Sequence, residues 1–410
     1  MGEPVYILGG YQTDFARNWS KEGKHILAMI REAVEGTLRE TGIEPAEIET
    51  GHVGNFAAEL YANQGHLGAF LVDIDPAFSG LPTARHEAAC ASGAIAILAA
   101  AAEIEAGRYD CALVVGVEQM KTVDAKTGGD YLGTAAYYER EAKGVEFPFP
   151  KLFGRLGDEY DARYGLDDKY LARIAAKNYA NAKRNPLAQT RNWFMSEEHA
   201  RSGGTYNTQV GGRLKVSDCS QITDGAVGLV LASARFAHMH ARRRRLELAD
   251  FPRILGFGHR TAPIRFDDKM RQSRGNPYVL PHTRQAILDA FRRAGIRSPF
   301  ELSGIETHDC FTTSEYMAID HFGLTEPGQS WKAIEEGIVE LDGKLPINPS
   351  GGLIGCGHPV GATGVRQVLD AYKQVTGQAG RMQIPNASRM ATLNIGGSGT
   401  TSCVFVIGRA

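Results

Sequence analysis

Ala88-Ala89-Cys90-Ala91-Ser92-Gly93-Ala94 opens an alanine-rich helix expected from Ala91 to about Ala106. Its small-residue turn returns later as Ala362-Thr363-Gly364-Val365, which opens another helix. Other pairs recur around these two in the same order. Ile7-Leu8-Gly9 reappears as Ile254-Leu255-Gly256, and the helical stretch from Ala33 to Leu38 as Ala286 to Phe291. Ile48 to Phe56 resembles Ile305 to Phe311, and Ala112 to Gly116 resembles Thr392 to Gly396. Each match alone is weak, but their shared order is not expected by chance.

Short apolar strands alternate with helical segments in both halves, the pattern of βαβ units with parallel pairing. This predicts an α/β protein of two duplicated βαβαβαββ halves packed through buried helices. The first half is assigned to residues 1–120 and 216–245, and the second to 246–410. Residues 121–215 have no counterpart and are expected to form an inserted loop domain that covers substrate or joins subunits. Within it Asp167 is a candidate N-cap for a helix reaching about Asn185, with Tyr170, Leu171, Ile174, Ala175 and Tyr179 on one apolar face.

The chain has 410 residues, too many for a single core. A formal net charge of −2 offers no basic field for nucleic acid, and Arg242-Arg243-Arg244-Arg245 reads as solvated surface. No apolar run reaches membrane-spanning length, and no secretory pattern precedes Val5. The six cysteines form no CxxC pair, so free thiols in a reducing, cytoplasmic setting are expected.

Cys90 meets the unpaired N–H groups and positive end of its helix, which favour thiolate. A buried structural thiol is the plainer reading of Cys90 taken alone. Three further motifs weigh against it: His308-Asp309-Cys310-Phe311, the glycine-rich Asn348-Pro349-Ser350-Gly351-Gly352 running to Gly357-His358-Pro359, and Asn394-Ile395-Gly396-Gly397.

Together with Cys-Ala-Ser-Gly at 90–93, these motifs make the chain resemble a thiolase from about residue 5 to 408. The His-Asp-Cys-Phe motif resembles the sterol-carrier-protein type, without an appended sterol-carrier domain. Most thiolases carry a second catalytic cysteine where this chain has Asn394. The resemblance implies Cys90 as acylated nucleophile, His358 as its base and Cys310 as second acid/base. It also implies His308 as an oxyanion donor, the backbone N–H groups of Cys90 and Gly396 as a second oxyanion hole, and Ser220 against the pantetheine arm. Asp309 is expected to orient its neighbours. Cys356 is expected as filler, though near enough to His358 in sequence to meet alkylating reagents.

No metal-ligand spacing, nicotinamide fingerprint or P-loop is present, so coenzyme A and acyl-CoA enter as substrates rather than bound cofactors. The implied activity is an acyl-CoA C-acyltransferase, a homodimer or tetramer with a possible protein partner. The alternatives are a thiolase-fold retro-aldolase and a non-catalytic acyl-CoA-binding subunit.

Overall fold

The computed structural model describes residues 2–409. Met1 and Ala410, which bound the expected halves, lie outside the described residues.

The first half contributes β1 (Val5–Gln12), α1 (Ile26–Thr41), β2 (Thr50–Gly54), β3 (Thr83–His86), α2 (Ser92–Glu105), β4 (Cys111–Glu118) and, after the insertion, β5 (Gly225–Ser233). The second contributes β6 (Arg253–Thr261), α6 (Pro281–Ala294), β7 (Gly304–Glu306), α7 (Thr312–Phe322), α8 (Thr363–Thr376), β8 (Arg389–Gly396) and β9 (Thr401–Gly408). Between them lie α3 (Ala125–Gly133), α4 (Pro148–Tyr164) and α5 (Asp168–Ala182) of the insertion.

The nine strands form one sheet in the order β3-β2-β4-β5-β1-β6-β9-β8-β7. Read outward from its centre, the two sides repeat each other. β1-β5-β4-β2-β3 faces β6-β9-β8-β7, and an isolated parallel bridge between Ile305 and Ile347 supplies the fifth position. Pairing is parallel only in the outer strands and antiparallel from β4 to β8 through the centre. That departs from all-parallel βαβ pairing, because the last two strands of each half pair antiparallel. The two sides meet through one residue pair, Tyr6 with Arg253.

The expected buried layer is α2 against α8. A Cβ on Gly93 would stand 2.6 Å from the Gly361 carbonyl oxygen, and one on Gly364 would strike the Ala94 amide. Glycine at these crossings lets helix backbones touch, which larger residues would prevent. Ala94, Ile97, Ala101, Val365, Val368 and Leu369 then join one buried cluster.

Asp167 caps α5 by accepting from the Lys169 amide at 2.9 Å, and the five expected apolar residues are all buried. Phe147-Pro148-Phe149-Pro150, without an assigned structure in the sequence, opens the 17-residue α4. Pro148 stands at the first helical position, where its missing N–H costs nothing. α4 and α5 pack on α7 in a cluster that includes Leu156, Tyr160, Leu171, Tyr316 and Ile319. The insertion is thereby part of the second half's core.

Candidate functional site

Cys90 sits on a tight turn before α2. Ala89 holds φ +51°, uncommon for a residue with a side chain. The Ser92 hydroxyl secures the turn, donating to the Ala89 carbonyl at 2.6 Å and accepting from the Ala88 amide at 2.9 Å. A side chain on Gly396 would collide with the Ala88 carbonyl, so β8 can approach this turn only with glycine there.

The half-buried Cys90 thiol is pushed up to about 12, chiefly by burial and then by the Glu118 carboxylate. The Gly397 and Cys90 N–H groups pull the other way. The helix start favours thiolate as expected, but burial outweighs the backbone dipoles and holds the sulfur as a thiol. The Gly397 amide, just past the end of β8, reaches the sulfur.

His358 approaches from the loop before α8. Its Nδ1 lies 2.6 Å from the Thr363 hydroxyl, which itself donates to the Pro359 carbonyl at 3.0 Å. The hydroxyl proton is thus used, and His358 carries its own proton on Nδ1, leaving the Nε2 lone pair free. Burial, then the Arg366 guanidinium, pushes this imidazole down to about 3. It is a neutral acceptor throughout the physiological range, and not a group titrating near neutrality.

His308 follows β7, fully buried, with its ring 5.2 Å from that of His358 and nearly perpendicular to it. The Asn394 side-chain amide donates to its Nδ1 at 3.1 Å. The proton then belongs on Nε2, which has no partner. An unpartnered buried N–H of this kind is available to donate to a ligand. Burial, His358 and Arg366 keep this ring neutral too. The Cys90 sulfur and one nitrogen of each histidine all lie within 4.8 Å of one another.

Cys310, 5% exposed, opens into the same cavity, its thiol raised well above the ordinary value by burial, then by Cys90 and Asp309. Asp309 orients the loops as expected, accepting from the Leu353 amide at 2.6 Å, the Ile354 amide at 3.3 Å and the Asn178 side chain at 2.8 Å. Asn178 also donates to Glu315 at 2.7 Å, and Glu315 is paired with Lys177. This buried ion pair ties α5 of the insertion to the His308-Asp309-Cys310 motif, and the sequence offered no sign of it.

The cavity measures about 300 Å³ and is mostly apolar, with Phe56, Met120, Phe149, Phe153 and Phe311 in its walls. Ser220 lines it beside Cys310, its amide donating to the Cys310 carbonyl at 2.9 Å. Cys356 faces away, fully buried and 3.4 Å from the Asn185 amide. Arg243 and Arg244 bind Glu47 and the Thr41 carbonyl, away from the cavity lining. Among the described residues no helix is long and apolar enough to cross a membrane.

Residues 5–235 match the family model of the thiolase N-terminal domain, and residues 267–409 that of the thiolase C-terminal domain-like unit. The acetyl-CoA acetyltransferase of Methanothermobacter thermautotrophicus is 32% identical over 407 residues, 99% of each chain. Sterol carrier protein 2 of Homo sapiens is 26% identical over 399 residues, covering 96% of this chain and 70% of that protein. Among solved structures, the fold matches an Ltp2-ChsH2(DUF35) aldolase with TM-score 0.78 at 20% identity, covering 100% of this chain and 98% of that one. It matches human mitochondrial 3-ketoacyl-CoA thiolase in complex with CoA with TM-score 0.69 at 15% identity, again covering 100% and 98%.

Proposed function

We propose, for a chain that belongs to the thiolase family, reversible CoA-dependent cleavage of 3-oxoacyl-CoA, equivalently Claisen condensation of acyl-CoAs, through an acyl-Cys90 intermediate. The observation that carries this reading is that two sulfurs, Cys90 and Cys310, line one apolar cavity with His358, while a buried ring nitrogen of His308 lies within 4.8 Å of the Cys90 sulfur.

In the cleavage direction His358 Nε2 takes the Cys90 proton. The thiolate attacks the 3-keto carbon, whose oxyanion meets the N–H groups of Cys90 and of Gly396 or Gly397. The bond between C2 and C3 breaks, and His308 Nε2–H receives the thioester enolate oxygen. Cys310 delivers its proton to C2, releasing the shorter CoA ester. The Cys310 thiolate then deprotonates incoming CoA, whose sulfur takes the acyl group, and the departing Cys90 thiolate recovers its proton from His358. The apolar walls and Ser220 suit a pantetheine arm, and the insertion, 121–215, covers it.

CoA and its esters enter as substrates, with no tightly bound cofactor. A cytoplasmic setting and a homodimer or tetramer belong to the same reading, and six free cysteines support the reducing setting. The likeness to a thiolase-fold aldolase supports a second reading, retro-aldol cleavage beside a protein partner. That chemistry has no use for an acylated thiol.

Incubation with acetyl-CoA followed by intact-mass and peptide analysis separates the two. An acetyl group on Cys90, absent from Cys90→Ala, is expected. Cys310→Ala should keep the adduct and lose acetoacetyl-CoA thiolysis. No adduct on the parent protein sinks the reading, and surviving thiolysis in Cys310→Ala removes Cys310 from it.

A further inference from the structure

We propose that Cys90, His308 and His358 also form a binding site for a soft divalent cation of the zinc class, which closes the catalytic centre to acyl-CoA. One sulfur and two imidazole nitrogens lie within 4.8 Å of one another. On a tetrahedral zinc shell such donors stand roughly 3.3–3.6 Å apart, so adjustments of about 1 Å complete three ligands. Two of the three ligands, Cys90 and His358, line the cavity. Thiolate with two imidazoles selects zinc or cadmium over magnesium or calcium, which prefer oxygen. The sequence shows no metal-ligand spacing here because the three residues are far apart along the chain.

The supporting hydrogen bonds are already in place. His358 donates Nδ1–H to Thr363 and presents its Nε2 lone pair. His308 Nε2 is fully buried and unpartnered, and so is Asn394 Oδ1. Metal binding at Nε2 moves the His308 proton to Nδ1, and a turn of the Asn394 amide lets Oδ1 accept it. Both orphaned atoms gain partners, and a side chain orients the ligating imidazole as in established metal sites. The balance is simple: the cation forms bonds to sulfur and two nitrogens, the Cys90 proton leaves to solvent, and nothing is oxidised. The site holds whichever acyl-CoA the chain turns over.

The test titrates full-length protein with Cd²⁺ and reads the ultraviolet sulfur-to-cadmium charge-transfer band, with stoichiometry from equilibrium dialysis. One bound equivalent is expected. The band should vanish in Cys90→Ser, persist in Cys219→Ser, and weaken about 10- to 100-fold in affinity in Asn394→Ala. Parent protein pre-acetylated on Cys90 should give no band, which decides the matter even if Cys90→Ser misfolds. No band, or a band that survives Cys90→Ser or is lost in Cys219→Ser, overturns the site. The readout is optical, so it fails or succeeds independently of the thiolysis assay.

Discussion

Replacing Lys177 with methionine should be among the most damaging single changes in the insertion. Its ammonium and the Glu315 carboxylate are 3% and 0% exposed. Methionine keeps the apolar stem and deletes the charge, leaving a carboxylate buried with two amide donors, Asn178 and Asn348, each at 2.7 Å. The Ile347 carbonyl also loses the donor it had at 2.9 Å. Breaking a buried pair in this way costs about 3–5 kcal/mol, a factor of several hundred or more in the folding equilibrium. Adding Glu315→Gln removes the stranded charge and keeps an oxygen for the two asparagines, so the double variant should recover to within about 1–2 kcal/mol of the parent. Urea unfolding followed by circular dichroism measures both, from the shift in midpoint at constant m-value. The reasoning is refuted if Lys177→Met costs less than about 1 kcal/mol, or if the double variant is no more stable than the single one.

His308→Ala should lower kcat about 10²- to 10³-fold, the worth of one oxyanion donor, with acetylation of Cys90 retained. Asn394→Ala should lower kcat about tenfold at near-constant KM, because it frees the His308 ring to take the wrong tautomer. Steady-state thiolysis reads both. Gly361→Ala places a Cβ 2.5 Å from the Val117 carbonyl, 2.6 Å from Asn55 Cα and 2.7 Å from the Gly54 carbonyl, all backbone. It should cost at least about 1–3 kcal/mol in unfolding experiments. His86 is pushed down to about 4 by burial, then by His52. The unfolded chain, with an ordinary imidazole near 6.5, binds more protons in the window between, so stability should fall as pH drops from about 6.5 towards 4. His86→Gln should flatten that slope in thermal melts recorded across the window; an unchanged slope removes His86 as its source.

The duplication was legible because its repeated pieces are helix starts and strand cores, where small or β-branched residues are required for packing. The proximity of Cys90, His308 and His358 was legible because each sits inside a distinctive motif. What escaped is non-local. Nothing near Lys177 announces Glu315, and nothing near Asn394 announces that its amide meets His308 Nδ1. The protonation of Cys90 was legible only in part, for a related reason. A helix start is visible in sequence, whereas the burial that outweighs it is created by β8 and the insertion. Phe147-Pro148-Phe149-Pro150 carried no assigned structure, and it opens a helix because its prolines fall in the first turn, where backbone N–H groups have no partner within the helix.

The backbone contact between α2 and α8 also bears on how the chain emerges from the ribosome. Gly93 is translated long before Gly361, the residue that will lie against it. At about 5–20 residues per second that interval is tens of seconds. Throughout it, α2 has an uncovered apolar face and Cys90 has neither His358 nor Cys310 beside it. The first half must therefore wait with that face open, and the proposed site comes together only after His358 has been made.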